Sequence, residues 1–299
     1  MKRFLILLLF QVIVTYLYAQ NDSTVKILIV TAHPDDETGF AATIYKVTKE
    51  LHGIADQCVI TNGEGGFKYS TLSEAYYGME LTDEKTGREN LPRIRKQELM
   101  NAGKIIGIRN IFFLDQKDAH YGLDEHEPLD TTWNVPFVST RLKEIMTTTK
   151  YDFVFCLLPT PETHAHHKAA TLLALRTIQS LPKEQRPIIL GVTGAVKTDT
   201  SKYSFSQLKD YTITRVEGNA PLFFFDKSVK FGFKDALSYK IIVNWEIAEN
   251  KSQGTMQLAM NQGDLEQFWY FSMNGLAGVE KCNQFFERLK FIPYKPKKY

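Results

Sequence analysis

Apolar residues fall along residues 25–195 in short runs that alternate with stretches of helical spacing. The short apolar and β-branched runs predict buried strands at Lys26–Val30, Gln57–Thr61, Asn110–Leu114, Tyr151–Leu158 and Pro187–Thr193. Helical spacing predicts helices over Phe40–His52, Pro92–Ile106, Phe137–Thr148 and His167–Leu181, with Gly53 and Gly107 as C-terminal caps of the first two. Strands that alternate with helices predict an α/β fold with a Rossmann-like, mostly parallel sheet flanked by helices.

The pattern changes after residue 196, where aromatic residues become dense. A strand-like run, Tyr239–Trp245, precedes two segments with helical spacing, Ser252–Met260 and Leu265–Met273. No Pro/Gly/Ser-rich linker separates the two parts of the chain. We therefore expect an α/β domain over 25–195 and, over 196–299, a C-terminal α+β extension or cap of the same domain.

Composition narrows the class of protein. The 299 residues are 43% hydrophobic and 23% charged, which is globular composition and excludes disorder, collagen and coiled coil. The formal net charge is only +2, so no basic excess is available for many phosphates and we expect no nucleic-acid partner. The three cysteines form no CxxC motif, and Cys58 and Cys156 lie in apolar runs. Buried free thiols are expected there rather than a cysteine-based metal or redox site.

The first residues have the pattern of a targeting signal. Lys2 and Arg3 precede the apolar run Phe4–Val14, and Ala19 supplies a small residue at the cleavage position. This predicts a secretory signal peptide over 1–19 and a secreted or periplasmic protein without a membrane span after cleavage. The alternative is an uncleaved signal anchor.

A first group of reactive side chains follows the strand Lys26–Val30. Ala32–Glu37 reads Ala-His-Pro-Asp-Asp-Glu, and sites in parallel sheets form at the carboxyl ends of strands. His33 and Asp36 are close enough in sequence to converge on zinc or a similar divalent metal. Asp35 points elsewhere and is left free as a base for an attacking water. The alternative is that Asp35 or Asp36 caps the following helix.

A second group follows the strand Tyr151–Leu158. His164, His166 and His167 fall within four residues, again at the carboxyl end of a strand. One of them would complete a three-ligand set with His33 and Asp36, which is the open arrangement of catalytic zinc. The alternatives are a solvated loop, or histidines that cap the next helix.

The pairing of these two segments resembles the PIG-L/LmbE-like family of zinc-dependent N-acetylglucosaminyl deacetylases. The similarity covers roughly residues 25–195, and the hexapeptide Ala32–Glu37 is its most specific part. Weaker similarities lie at Thr61–Gly66, at Arg95–Glu98 followed by Ala102 and Gly107, at Leu114–Asp118, and at the pair Ser252-Gln253.

The resemblance implies roles for individual residues. His33, Asp36 and His167 would ligate one zinc ion, or another divalent metal, and Asp35 would be the general base. His164 would stabilise the oxyanion or protonate the leaving group, while Arg95 and Asp118 would hold sugar hydroxyls. The histidine motif departs from the family, because His166 takes the place of its usual Asp and Ala165 that of its usual Pro.

The function expected from the sequence is that of an exported, metal-dependent N-deacetylase. Its substrate would be an N-acetylated amino sugar within an N-acetylglucosamine-containing glycan or glycoconjugate. One alternative is an exported glycan-binding protein with a relic metal site. Another is a phosphate-transfer aspartate site, which would need Thr193 and Lys197 near the acidic loop.

Overall fold

The fold is seen in a computed structural model that describes residues 24–198 and 203–294. One central sheet has the strand order β3-β2-β1-β4-β5-β9-β6, and β7 and β8 form a separate hairpin. The strands are β1 (Lys26–Thr31), β2 (Ile54–Thr61), β3 (Ile108–Gln116), β4 (Phe153–Leu157), β5 (Ile188–Ala195), β6 (Phe223–Asp226), β7 (Lys230–Phe231), β8 (Leu237–Ser238) and β9 (Leu265–Tyr270).

Strands β1 to β5 are all parallel, and β9 pairs antiparallel with β5. The chain winds from β1 out to β3 and then returns to β4 on the other side of β1. The carboxyl ends of β1 and β4 therefore flank the point where the winding reverses, which is where ligands bind in open α/β sheets. The predicted α/β class with a mostly parallel sheet is confirmed.

Helices cover both faces of the sheet. They are α1 (Ala41–Tyr45), α2 (Glu74–Tyr77), α3 (Glu84–Ile106), α4 (Val135–Thr149), α5 (Ala165–Ser180), α6 (Lys240–Glu249), α7 (Gly254–Gln257) and α8 (Ala277–Leu289). Alternate residues of β1 point to opposite faces. Leu28 and Val30 join one apolar core with α4 and α5, and Ile27 and Ile29 join the other with α6 and α8.

Two predicted helices differ at their ends. The first begins as a 3-10 turn, Asp36–Phe40, and ends as a π-helical turn, Lys46–Glu50. Its left-handed residue is His52 and not Gly53, so the predicted cap at Gly53 was wrong. Helix α3 starts before Pro92 because Asp83 caps it, accepting a hydrogen bond from the Thr86 amide, and Pro92 lies inside the helix. Gly107 does cap α3 in the left-handed conformation.

The C-terminal part extends the same sheet through β9 and β6, and three predictions made there were wrong. Tyr239–Trp245 is not a strand but the start of α6, because Tyr239, Ile242, Val243 and Ile247 form one buried helical face. Leu265–Met273 is not a helix, because its first six residues pair with β5 and β6 as β9. The helix predicted over Ser252–Met260 is reduced to the single turn α7.

The three cysteines are buried and free, as expected for Cys58 and Cys156. The predicted signal peptide, residues 1–19, lies outside the described residues. Within the described ranges, no helix has both the length and the apolar character needed to cross a membrane.

Candidate metal centre

The loops after β1 and β4 meet at the carboxyl edge of the sheet and enclose a cavity of about 330 Å³. All seven side chains that the sequence predicts as site residues line this cavity: His33, Asp35, Asp36, Arg95, Asp118, His164 and His167. The two loops meet because β1 and β4 are neighbouring parallel strands that both end at this edge of the sheet.

Two imidazoles and one carboxylate converge in the cavity. His167 Nε2 lies 3.0 Å from Asp36 Oδ1 and 3.1 Å from His33 Nδ1, and His33 Nδ1 lies 3.6 Å from Asp36 Oδ2. Zinc bonds of about 2.0–2.1 Å in tetrahedral geometry place ligand atoms about 3.3 Å apart. One donor atom from each of His33, Asp36 and His167 lies within 4.8 Å of the other two, so the three side chains are close enough to hold one divalent cation.

The acidic loop holds its own shape through hydrogen bonds. Asp36 Oδ2 accepts the backbone N–H groups of Ala32 and His33, at 3.0 and 2.8 Å. Glu37 Oε2 accepts the N–H of Asp35, whose backbone has a φ of 119°. Neither Asp35 nor Asp36 caps the following turn with its side chain. The capping alternative for these two acids is therefore wrong.

Charges around the donors favour a cation. Burial tends to raise the pKa of Asp36, but His167 and His33 hold it well below its ordinary value. Burial tends to lower the pKa of His167, yet the facing carboxylate of Asp36 raises it above its ordinary value. Asp36 thus remains ionised although it is buried, and it can offer a charged oxygen to a metal.

Asp35 lies beside the donors and is held by Arg95. Burial raises the pKa of Asp35 to about 8, and the guanidinium of Arg95, which lies 3.0 Å from the carboxylate, opposes that rise. Arg95 also donates to the backbone carbonyls of Gly63 and Pro34. Arg95 thus connects the loop that carries the predicted base with the loop that follows β2.

His164 has both ring nitrogens engaged by the backbone. Nδ1 accepts the N–H of His166 and so caps α5, and Nε2 lies 3.2 Å from the carbonyl oxygen of His120. Burial, together with the neighbouring imidazoles, lowers the pKa of His164 to about 3. The helix-capping alternative therefore holds for His164. The ring would have to give up the carbonyl of His120 before it could donate to a substrate.

His166 and Asp118 lie near Nε2 of His33, whereas His167 and Asp36 lie near Nδ1 of the same ring. His33 Nε2 is 3.1 Å from His166 Nδ1 and 3.8 Å from Asp118 Oδ1. His33, His164 and His166 form a second donor group, but it contains no carboxylate and both nitrogens of His164 are used. The group with Asp36 is the better cation site for these reasons.

Some residues of the cavity were not assigned a site role from the sequence. Gln253 and Met256 reach it from the C-terminal part of the chain, and Tyr69 and Tyr121 lie on its rim. The pair Ser252-Gln253 was a usable signal for Gln253. The two tyrosines stand in segments without a distinctive pattern, so no local signal marks them.

The phosphate-transfer alternative is not supported by the structure. Lys197 Nζ contacts Asp226 and Ser228, and Thr193 Oγ1 accepts a hydrogen bond from Trp269. Neither Lys197 nor Thr193 lines the cavity that contains the acidic loop.

The fold and the site together define a class: an α/β protein with a candidate His/Asp cation site at the reversal point of its sheet. Comparison with protein families identifies the class more closely. The model of the PIG-L family, described as GlcNAc-PI de-N-acetylase, matches residues 28–178, just over half of the chain. The chain belongs to the PIG-L family, and the resemblance suggested by Ala32–Glu37 is confirmed.

A curated relative from Bacillus cereus is named "Probable N-acetyl-alpha-D-glucosaminyl L-malate deacetylase 2". It is 26% identical over 166 residues, which cover 56% of this chain and 66% of the relative. The match thus spans just under two thirds of that protein.

Two solved structures share the fold. One is N,N'-diacetylchitobiose deacetylase from Pyrococcus horikoshii, with 16% identity, a TM-score of 0.50, and 81% of this chain and 82% of that chain covered. The other is the 4-carboxy-2-hydroxymuconate hydratase GalB from Pseudomonas putida KT2440, with 13% identity, a TM-score of 0.51, and 82% and 95% covered. At these identities the likeness concerns the fold alone, and function has to be inferred from the site.

Proposed function

We propose that the chain is an exported, metal-dependent N-deacetylase. Its substrate would be the acetamide of an N-acetylglucosamine-containing glycan or glycoconjugate. The observation that carries the proposal is the convergence of His33, Asp36 and His167 beside Asp35 in one cavity. Membership of the PIG-L family and the name of the Bacillus cereus relative support the same reaction. Export rests on the sequence pattern of residues 1–19.

The donor set suits zinc, because two imidazoles and one carboxylate are common ligands of catalytic zinc and leave a position open. When bound, the metal would lower the pKa of a water molecule and polarise the acetamide carbonyl. Thr163 Oγ1 lies 3.0 Å from His167 Nδ1. It can accept the proton there and leave Nε2 free to bind the ion.

Asp35 is the proposed general base. Its carboxylate takes a proton from the water that attacks the acetamide carbon, and the proton passes to the amine nitrogen as the C–N bond breaks. The products are acetate and a free amino sugar. Arg95, together with a cation at Asp36, favours the carboxylate form of Asp35 that this step needs.

His164 stays a proposed donor to the oxyanion or to the leaving amine. Its Nε2–H would serve this purpose after leaving the carbonyl of His120, to which it is bonded in the free chain. A donor aimed at the developing charge is typically worth about 3–4 kcal/mol.

The size of the cavity suggests how a glycan would bind. A volume of about 330 Å³ is near the lower end of the range of about 300–1,000 Å³ for ligand pockets. We propose that one acetamido sugar enters it, where Asp118 would accept a sugar hydroxyl. Other parts of a glycan would lie outside, near the exposed rings of Tyr69 and Tyr121.

Acetate release tests the proposal. The purified chain is given N-acetylglucosamine and N,N'-diacetylchitobiose, with and without added zinc, beside the variants Asp35→Asn and His167→Ala. Zinc-dependent release that both variants lose is the expected result. Sugar binding that persists without metal, with no acetate from either substrate, would favour the glycan-binding alternative. Full activity of a folded, metal-loaded Asp35→Asn variant would show that Asp35 is not the base.

A further inference from the structure

His166 occupies the position where the family motif commonly has Asp, and it is fully buried. Its ring is packed between other rings, with the centroid of Trp133 at 5.1 Å and that of His164 at 4.5 Å. The backbone N–H of His166 is bonded to His164 Nδ1 at the start of α5. The imidazole is therefore enclosed by other side chains, with Nδ1 near His33 and Nε2 near Glu127.

The ligand role of His33 determines which nitrogen of His166 carries the proton. His33 Nδ1 faces the other metal donors, so as a ligand it carries no proton and the proton lies on Nε2. That Nε2 is 3.1 Å from His166 Nδ1. If His166 Nδ1 were protonated in order to donate to Asp118, 3.3 Å away, two N–H groups would face each other. His166 Nδ1 is therefore the acceptor, and the proton of His166 lies on Nε2.

The Nε2 atom of His166 lies near the carboxylate of Glu127. In the described part of the chain this nitrogen is buried and has no well-aligned hydrogen-bond acceptor. The Oε2 atom of Glu127 lies 3.4 Å from it. Glu127 begins the π-helical turn Glu127–Thr132, and the next residue is Trp133. One segment thus places both the carboxylate and the packing ring against His166.

We propose that His166 and Glu127 together replace the carboxylate that the family motif usually carries. His166 accepts the Nε2–H of the metal ligand His33, and Glu127 stabilises His166 through its Nε2–H. Both are positioning residues, because they act on the metal only through His33. This inference rests on the proposed metal site. It makes Glu127 necessary in this chain because residue 166 is a histidine.

Zinc affinity tests the inference directly, because partners of metal-bound histidines contribute about 10–100-fold to metal binding. The dissociation constant for zinc is measured on the full chain by competition with a chromophoric chelator. Glu127→Gln should weaken zinc binding about tenfold. Asp130→Asn is the matched control, because Asp130 lies in the same turn but is exposed and forms its ion pair with His126. It should leave zinc binding unchanged.

The decisive measurement is whether the effect of Glu127→Gln on zinc binding depends on the residue at position 166. His166→Asp returns a carboxylate to His33 directly, so adding Glu127→Gln to that variant should have no further effect on zinc binding. His166→Asn also offers His33 an acceptor that does not need Glu127, and it serves if the buried aspartate prevents folding. An equal loss from Glu127→Gln in all backgrounds would overturn the inference, because independent sites behave additively. Unchanged zinc binding by Glu127→Gln, or no tight zinc binding by the unmodified chain, would also overturn it.

The outcomes separate this inference from the proposed function. The predicted zinc-binding pattern without acetate release would leave the inference standing and remove the deacetylase. Zinc-dependent acetate release, with no effect of Glu127→Gln on zinc binding, would support the deacetylase and overturn the inference.

Discussion

The guanidinium of Arg95 forms an ion pair with Asp35, in which Nη2 lies 3.0 Å from Asp35 Oδ2. Arg95 is 3% exposed, and its other donors reach the carbonyls of Gly63 and Pro34. Gly63 has φ of 71°, and a Cβ there would lie 2.2 Å from Arg95 Nη1, so a larger residue at 63 would displace the guanidinium. The residue predicted to hold sugar hydroxyls therefore already holds the predicted base.

Replacing Arg95 separates these two roles. Lys cannot bond two carbonyls and a carboxylate in one plane, so Arg95→Lys should let Asp35 shift. Misplacing a catalytic group in this way can cost about 100-fold in kcat, with little change in KM. Steady-state kinetics on N,N'-diacetylchitobiose measures both constants. A raised KM with unchanged kcat would instead show that Arg95 binds the sugar.

His164 has a capping role that can be tested apart from its chemistry. Asn is a good N-cap residue, so His164→Asn should keep the stability of α5, whereas His164→Ala should lose about 1 kcal/mol of unfolding free energy. Both variants should lose about 100-fold in kcat if the imidazole also donates to the oxyanion. Denaturant unfolding and acetate release are measured on the same samples. Full activity of His164→Asn would leave His164 with the capping role alone.

We predict that Asp56, which lies away from the cavity, makes the free energy of unfolding depend on pH. Burial tends to raise its pKa, but hydrogen bonds from Arg109 and Tyr151 hold it below its ordinary value. Because the pKa of Asp56 is lower in the folded state, its ionised carboxylate stabilises the protein above pH about 4. This stabilisation is lost as the pH falls through the folded-state pKa of Asp56.

Asp56→Asn should therefore destabilise the chain by about 2 kcal/mol at pH 7. The difference from the unmodified chain should shrink below pH about 4. Urea unfolding at a series of pH values measures it. A difference that stays constant from pH 7 to pH 3 would mean that the charge of Asp56 contributes nothing.

Ser252 ties the C-terminal part of the chain to the helix that carries Arg95. Its N–H and Oγ–H both donate to Glu98, at 2.8 and 2.6 Å, and all three groups are buried. Ser252→Ala should cost about 1–3 kcal/mol of unfolding free energy, because it removes a partner from a buried carboxylate. Thr140→Ala, which removes an exposed hydroxyl bonded within its own helix, is the control. Equal, small losses for both variants would contradict a structural role for Ser252.

The α/β part of the fold could be predicted because its strands are short apolar runs with helices of clear spacing between them. Lys26–Thr31 is buried on both faces of the sheet, so its pattern is unambiguous. The segments Tyr239–Trp245 and Leu265–Met273 were misassigned because both are apolar enough for either structure. Their form is decided by partners distant in sequence: Phe268 becomes part of a strand through pairing with Val192 and Phe223.

The members of the site could be predicted, but their hydrogen-bond partners could not. His33, Asp36 and His167 follow adjacent parallel strands, so the topology brings them together. Arg95 and His164 each contact backbone carbonyls of loops, and no side-chain pattern encodes the position of a carbonyl. The link from His166 to Glu127 depends on the turn before Trp133, which has no clear signal in the sequence.

The central claim is that His33, Asp36 and His167 hold one catalytic divalent metal. A zinc titration of the chelator-stripped chain, followed by acetate release, tests it most directly. Activity should rise in proportion to added zinc and stop at one ion per chain, and His167→Ala should show neither tight binding nor activity. Acetate release that is unaffected by stripping the metal, or that His167→Ala retains in full, would contradict the claim.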